Sequence, residues 1–189
     1  MKLIEEQTFT AADFKSTTFE IAHYELCVFN SIDFTKFTFS EAKFVDCEFV
    51  DCDLSMVSLT GSMLQNITFT RCKMLGLFFE TVKPFLFEVR FQDCNLESSS
   101  FENVRMENTV FQSCKLAGVD FTNSNLKGVQ FEACDLLNAT FYNSKLEKAD
   151  FTTARNFSIN PQHNQTKGSI VSSANLEGFL QNAGLDFRS

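Results

Sequence analysis

FQDCNLESSSFENVRMENTVFQSCKLAGVDFTNSNLKGVQF (Phe91–Phe131) divides into units of five, each opening on a large apolar side chain: Phe91, Leu96, Phe101, Met106, Phe111, Leu116, Phe121, Leu126 and Phe131. The series runs on to Phe151 and back to Leu86. After a slip of two residues it resumes at Phe79 and continues upstream to Phe9. All 29 positions hold Phe, Tyr, Leu or Met. A period of five matches neither the 3.6 of a helix nor the 2.0 of a strand, so the chain reads as a repeat architecture before any single element can be assigned.

Two residues before each centre stands a small or β-branched residue, among them Ala22, Cys27, Ile32, Ala42, Cys47 and Cys52, and later Cys94, Ser99, Val104, Thr109 and Cys114. The remaining three positions are mostly Asp, Glu, Asn, Gln, Ser, Thr, Lys and Arg. One large and one small inward residue per five suit one side of a square coil, the small one near the corner and the large one filling the middle. The pattern resembles the pentapeptide-repeat family over residues 7–155. That resemblance implies an all-β fold, a right-handed quadrilateral β-helix with four units per turn and a little over seven coils.

A coil of 20 residues should stack positions 20 apart, and such ladders occur. Cys94, Cys114 and Cys134 form one; Cys27 with Cys47 and Cys52 with Cys72 form others. Asn103, Asn123 and Asn143 stack on the outside, where side-chain amides can bond along the axis. Asp13, Asp33 and Asp53 make an outer carboxylate ladder. A leucine-rich repeat would show one block per 20–29 residues and a left-handed β-helix a period of six. Neither fits.

The composition agrees with a stacked core. Trp is absent and Phe reaches 24, of which 17 lie on the five-residue grid. A single repeat cannot bury its own Phe, but stacking does, at roughly 2–3 kcal/mol each. With 7 Gly and 2 Pro, the corners must be built from Asn, Asp, Ser and Lys. All seven cysteines occupy the small inward position. There is no CxxC, and His23 and His163 lie far from any cluster, so the thiols read as buried apolar fillers rather than metal ligands, with no cofactor implied. Seven free thiols suit a reducing, cytoplasmic setting. The start, MKLIEEQTF, has no apolar h-region, and no apolar run approaches a membrane span, so no membrane partner is expected.

Two places depart from the grid. Residues 80–90, ETVKPFLFEVR, absorb the slip and hold Pro84, whose missing N–H cannot pair with a neighbouring coil; a break dividing the solenoid is expected there. After residue 155 comes a polar loop, NPQHNQTKG, and then SSANLEGFLQNAGLDF. Leu176, Phe179, Leu180 and Ala183 fall at i, i+3, i+4 and i+7 of a short helix, with Ser173 as N-cap and Gly184 as C′ residue; a strand, Leu185–Phe187, follows. Residues 156–189 are thus expected to cap the last coil or to join two copies. Leu176, Phe179, Leu180, Leu185 and Phe187 are the candidate dimerisation residues.

No catalytic set, phosphate-binding loop or metal spacing emerges, so the chain does not read as an enzyme and no small-molecule substrate is indicated. Lys and Arg number 16 and Asp and Glu 24, a net charge of −8 that argues against nucleic acid as a direct partner. A straight acidic rod of duplex-like width could instead occupy the groove of a DNA-binding protein, with Asp13, Asp33 and Asp53 as candidate contacts.

CEFVDCDLS (Cys47–Ser55), CKMLG (Cys72–Gly76) before a mid-chain break, and the ending INPQHNQTKGSIVSSANLEGFLQNAGLDF (Ile159–Phe187) carry a closer resemblance. They are similar to the topoisomerase-protecting group of the family: the Qnr quinolone-resistance proteins and, more closely, the albicidin and microcin self-immunity proteins. The resemblance implies a homodimeric DNA mimic joined through its C-terminal part, acting on DNA gyrase or topoisomerase IV and conferring antibiotic resistance. Qnr proteins of Gram-negative bacteria carry one or two long projecting loops; nothing longer than residues 80–90 interrupts this chain, a difference that bears on quinolone protection more than on gyrase binding. The alternative is a structural protein-interaction module with an unrelated partner.

Overall fold

The computed structural model describes residues 1–14, 19–85 and 87–180. It forms a right-handed quadrilateral β-helix, nearly all β, with one short helix near its C-terminal end. Among the described residues, eleven strands of three or four residues supply two of the four faces. β1 (Leu3–Glu5), β3 (His23–Glu25), β5 (Lys43–Val45) and β7 (Met63–Gln65) form the first face. β2 (Thr8–Thr10), β4 (Val28–Asn30), β6 (Glu48–Val50) and β8 (Ile67–Thr70) begin the second, and β9 (Val89–Gln92), β10 (Val110–Gln112) and β11 (Gln130–Glu132) extend it. All pairs are parallel. Register advances by 20 residues, as in Phe29↔Phe49, and by 22 across the break, as in Phe69↔Phe91. The other two faces are held by single bridges, such as Asn95↔Lys115 on the third and Ser100↔Asp120 on the fourth. Pairing begins at Leu3 and continues past Arg155 to Gln165 and Ile170. Within the expected polar loop, Asn164 takes the inward position and satisfies the carbonyls of Phe141 and Asn160, each at 2.9 Å, with its amide.

The second face explains the phenylalanine count. Phe9, Phe29, Phe49, Phe69, Phe91, Phe111, Phe131 and Phe151 lie in one column, neighbouring rings stacked at 4.7–5.4 Å. On the fourth face Phe79, Phe101, Phe121 and Phe141 form a second column with centroids 4.3–5.4 Å apart. The two columns meet edge to face, Phe91–Phe101 at 6.0 Å and Phe111–Phe121 at 6.1 Å, so each ring stacks on its neighbours along the axis and makes edge-to-face contacts across it.

The corners follow a local rule. The residue two after a centre adopts positive φ at almost every turn: Asn103 at 60°, Asn123 at 57°, Asn143 at 55°, and Gly118 and Gly128 at 66° and 68°. The amides of Ser99, Val104, Val119 and Ser124, next in the chain, donate to the carbonyls of their centres Leu96, Phe101, Leu116 and Phe121, closing the four-residue turn. A left-handed third residue is the signature of a type II turn, which favours Gly and Asn because they reach that region at little cost. Leu26 at 53° and Met56 at 60° occupy the same position without that advantage, at roughly 1–2 kcal/mol each. Both are exposed, and the stack above and below holds them there.

Candidate partner-binding faces

The position just before each centre on the third face forms a column. Asp33 and Asp53 are bridged in register there, and the column runs on through Lys73, Asn95, Lys115 and Asp135 to Arg155. Asp13 stands at the N-terminal end of this column, in a 3-10 turn over Ala11–Phe14. Each carboxylate is held locally. The Thr10 amide and hydroxyl, 2.7 and 3.0 Å from Asp13, keep its carboxyl below the usual range, and the Thr35 hydroxyl and amide do the same for Asp33. At Asp53 burial works against ionisation, but Ser55 and the Lys73 ammonium, 3.1 Å away, outweigh it and lower its pKa as well. The acidic stretch therefore ends at Lys73. Arg155 closes the column by pairing with Asp135 at 3.4 Å.

Counting charge along the rod gives a clearer asymmetry. Residues 1–102 carry 16 Asp and Glu against 8 Lys and Arg, whereas residues 103–189 carry 8 of each. The whole net charge of −8 thus belongs to the N-terminal part of the stack. The asymmetry is legible in the sequence as a running count of charge, which no ladder at a single spacing reports. On the fourth face Glu80, Glu102 and Asp120 lie close enough to repel one another, and among the described residues none of them is in an ion pair.

The C-terminal end is built on the last coil. The helix α1 (Glu177–Leu180) follows a 3-10 turn over Ser173–Asn175, so Ser173 lies inside the turn, and its N-cap is Ser172. Phe179 is only 9% exposed and sets its ring edge-on over Phe151 and Phe157, 5.7 Å from each. Leu176 is 43% exposed and Leu180 half-buried. Ala183, Gly184, Leu185 and Phe187 lie outside the described residues. Gly178 sits where the Phe157 ring presses against the helix, and its carbonyl accepts from the Ile159 amide at 2.7 Å.

All seven cysteines are buried and free. The break joins two of the expected ladders. Counted across the two-residue slip, Cys52, Cys72, Cys94, Cys114 and Cys134 form one column beside the third face, each thiol reaching a carbonyl of the preceding coil at 3.3–3.5 Å. Among the described residues no group of three or more His, Cys, Asp or Glu could hold a metal ion. Burial pushes Cys47, and the neighbouring thiol together with burial pushes Cys72, Cys94 and Cys114, up to about 12, from an ordinary value of 9.0. The sign follows directly. The unfolded chain releases these protons first, so the contribution to stability is full below pH 9.0 and is lost as pH rises toward 12. The urea midpoint should be level up to about pH 9 and fall beyond it, less steeply in a Cys72→Ala/Cys94→Ala/Cys114→Ala variant. Equal slopes for the two proteins would show that the thiols are not the cause.

Residues 85–155 match the family description of a pentapeptide repeat region, and residues 38–76 that of pentapeptide repeats in eight copies. Among solved structures, a trypsin-treated variant of QnrB1, a plasmid-mediated fluoroquinolone resistance protein, is 13% identical with a TM-score of 0.64, over 99% of this chain and 98% of that one. A second trypsin-treated QnrB1 variant is 14% identical with a TM-score of 0.63, over 100% and 99%. Full-length QnrB1 gives 14% and 0.57, over 97% of each chain. No curated protein sequence matches. No helix among the described residues is long and apolar enough to cross a membrane.

Proposed function

This chain is a pentapeptide-repeat protein with a fold like that of QnrB1, and from that premise we propose that it binds a type II topoisomerase, DNA gyrase or topoisomerase IV, as a mimic of duplex DNA. The observation that carries this reading is a four-faced solenoid whose net charge of −8 is concentrated in residues 1–102. At about 4.8 Å per coil the column from Phe9 to Phe151 is about 34 Å long. Duplex DNA of that length carries on the order of 20 phosphate charges. Bulk charge therefore falls short, and placement must compensate: a dense acidic half set against a basic groove steers encounter and fixes orientation. By occupying the groove that grips DNA, the protein would relieve a cleavage complex trapped by a topoisomerase poison and so protect the cell.

In this reading two copies join at their C-terminal ends, giving a span of about 70 Å. Phe179 is covered by its own last coil, so Leu176 and Leu180, with Leu185 and Phe187, would supply the contact between copies.

Gyrase supercoiling, measured with and without the protein and with and without a poison, tests the function. Supercoiling should be inhibited by the protein alone and partly restored by it in the presence of the poison, and both effects should weaken as salt rises. Asp13→Asn, Asp33→Asn and Asp53→Asn together should reduce binding several-fold with only a modest loss of stability, because the Asp53–Lys73 pair is lost while the repulsion between Asp33 and Asp53 is relieved. A triple variant that inhibits at the original concentration would remove this column from the contact while leaving the target in place. Absence of binding to either enzyme at low salt would overturn the function itself.

A further inference from the structure

The two-residue insertion falls between the 3-10 turn over Phe79–Thr81 on the fourth face and β9 on the second. Beside it lies a cavity of about 190 Å³ between neighbouring coils. Its apolar lining comes from Phe79, Val82, Phe87 and Val104, its charged lining from Glu80, Glu102 and Arg105. Ligand sites for whole small molecules run to roughly 300–1,000 Å³. This one has room for a single long side chain.

The chemistry of the lining selects which one. Glu80 and Glu102 are in no ion pair among the described residues, and Asp120 adds to the negative field. Arg105, the one cation of the lining, is drawn toward Glu107, 4.0 Å away. Two large apolar side chains flank the lining in the chain: Phe78, next to Phe79, is 54% exposed, and Phe85, next to Pro84, is 69% exposed. Exposed Phe beside a partly apolar pocket is the composition of an interface centre rather than of a solvated face.

We propose that this cavity anchors an arginine side chain presented by a loop of a protein partner. The aliphatic stem would lie along the apolar lining, and the planar guanidinium would be gripped by Glu80 and Glu102. Phe78 and Phe85 would close over the surrounding backbone and exclude water. The inference goes beyond the topoisomerase reading, since it fixes the chemistry of the docked group whatever protein carries it.

The probe is N-acetylarginine methylamide, titrated into the whole protein while the methyl resonances of Val82 and Val104 are followed. Saturable shifts at both valines are expected, with no such response to the citrulline analogue, which keeps the shape and lacks the charge. Glu80→Gln with Glu102→Gln should weaken the arginine response by about tenfold or more, from the loss of two charge-assisted hydrogen bonds. Equal responses to arginine and citrulline derivatives, or arginine shifts spread over other carboxylates and missing at Val82 and Val104, would overturn the proposal.

Discussion

Phe111→Ala should lower stability by about 3–5 kcal/mol, the cost of deleting a buried ring whose surroundings cannot collapse. Phe111 is fully buried. It stacks on Phe91 at 5.0 Å and Phe131 at 5.3 Å and receives the edges of Phe101 and Phe121 at 5.9 and 6.1 Å. Relaxation is restricted because the coil above and the coil below are each fixed by their own ladder bonds. Asn123→Ala is the control. It removes one acceptor for the Asn143 amide, at 2.8 Å, and places Ala at a φ of 57°, which together should cost well under half as much. Denaturant titration of the two variants decides the matter. Equal losses would mean that the assignment of inward and outward residues is wrong.

Gly178→Ala should undock the C-terminal helix. A Cβ at this position would run into the Phe157 ring and lie 2.7 Å from the Phe157 carbonyl oxygen, and neither the ring nor the backbone has room to give. Overpacking of this kind costs about 1–3 kcal/mol, and Phe179 and the bond from Ile159 to Gly178 help to hold the helix on the last coil. The Ile159 amide should then exchange its hydrogen at least about tenfold faster. The urea midpoint of the stack below should stay where it was, since each coil depends mainly on its neighbours. Unchanged exchange at Ile159 would mean that α1 is not docked as described.

The periodic parts of this fold were legible because burial forces them. A centre such as Phe49 must be large and Cys47 must be small, since both point into a space of fixed width; five-residue spacing reports that space directly. The corners were harder to read. What Asn123, Gly118 and Met56 share is a backbone angle, and side-chain class reports such an angle only as a preference for Gly and Asn, a preference that Met56 does not follow. The cysteine column was split in two because a spacing of 20 was applied across a slip of two. Asn164 was hidden differently: a polar side chain took an inward position by bonding to two carbonyls, which no apolar pattern reveals. For the candidate partner-binding face, the spacing of 20 that puts Asp33 and Asp53 on one line puts Lys73 there as well; what the spacing does not report is the ion pair that Lys73 makes with Asp53 at 3.1 Å.

The segregation of charge has a consequence for approach. A single copy, with −8 on one half and zero on the other, is an electric dipole along its own axis, and a positively charged surface exerts a torque on it. Such a molecule arrives pole first, its N-terminal coil leading. If two copies join by their C-terminal ends, their dipoles point in opposite directions and cancel, and what remains is a rod with two negative poles and a neutral waist. The torque that turned one copy end-on then acts oppositely on the two halves. The pair is drawn flat against any surface that carries positive charge at two places, and assembly state alone changes the angle of attack.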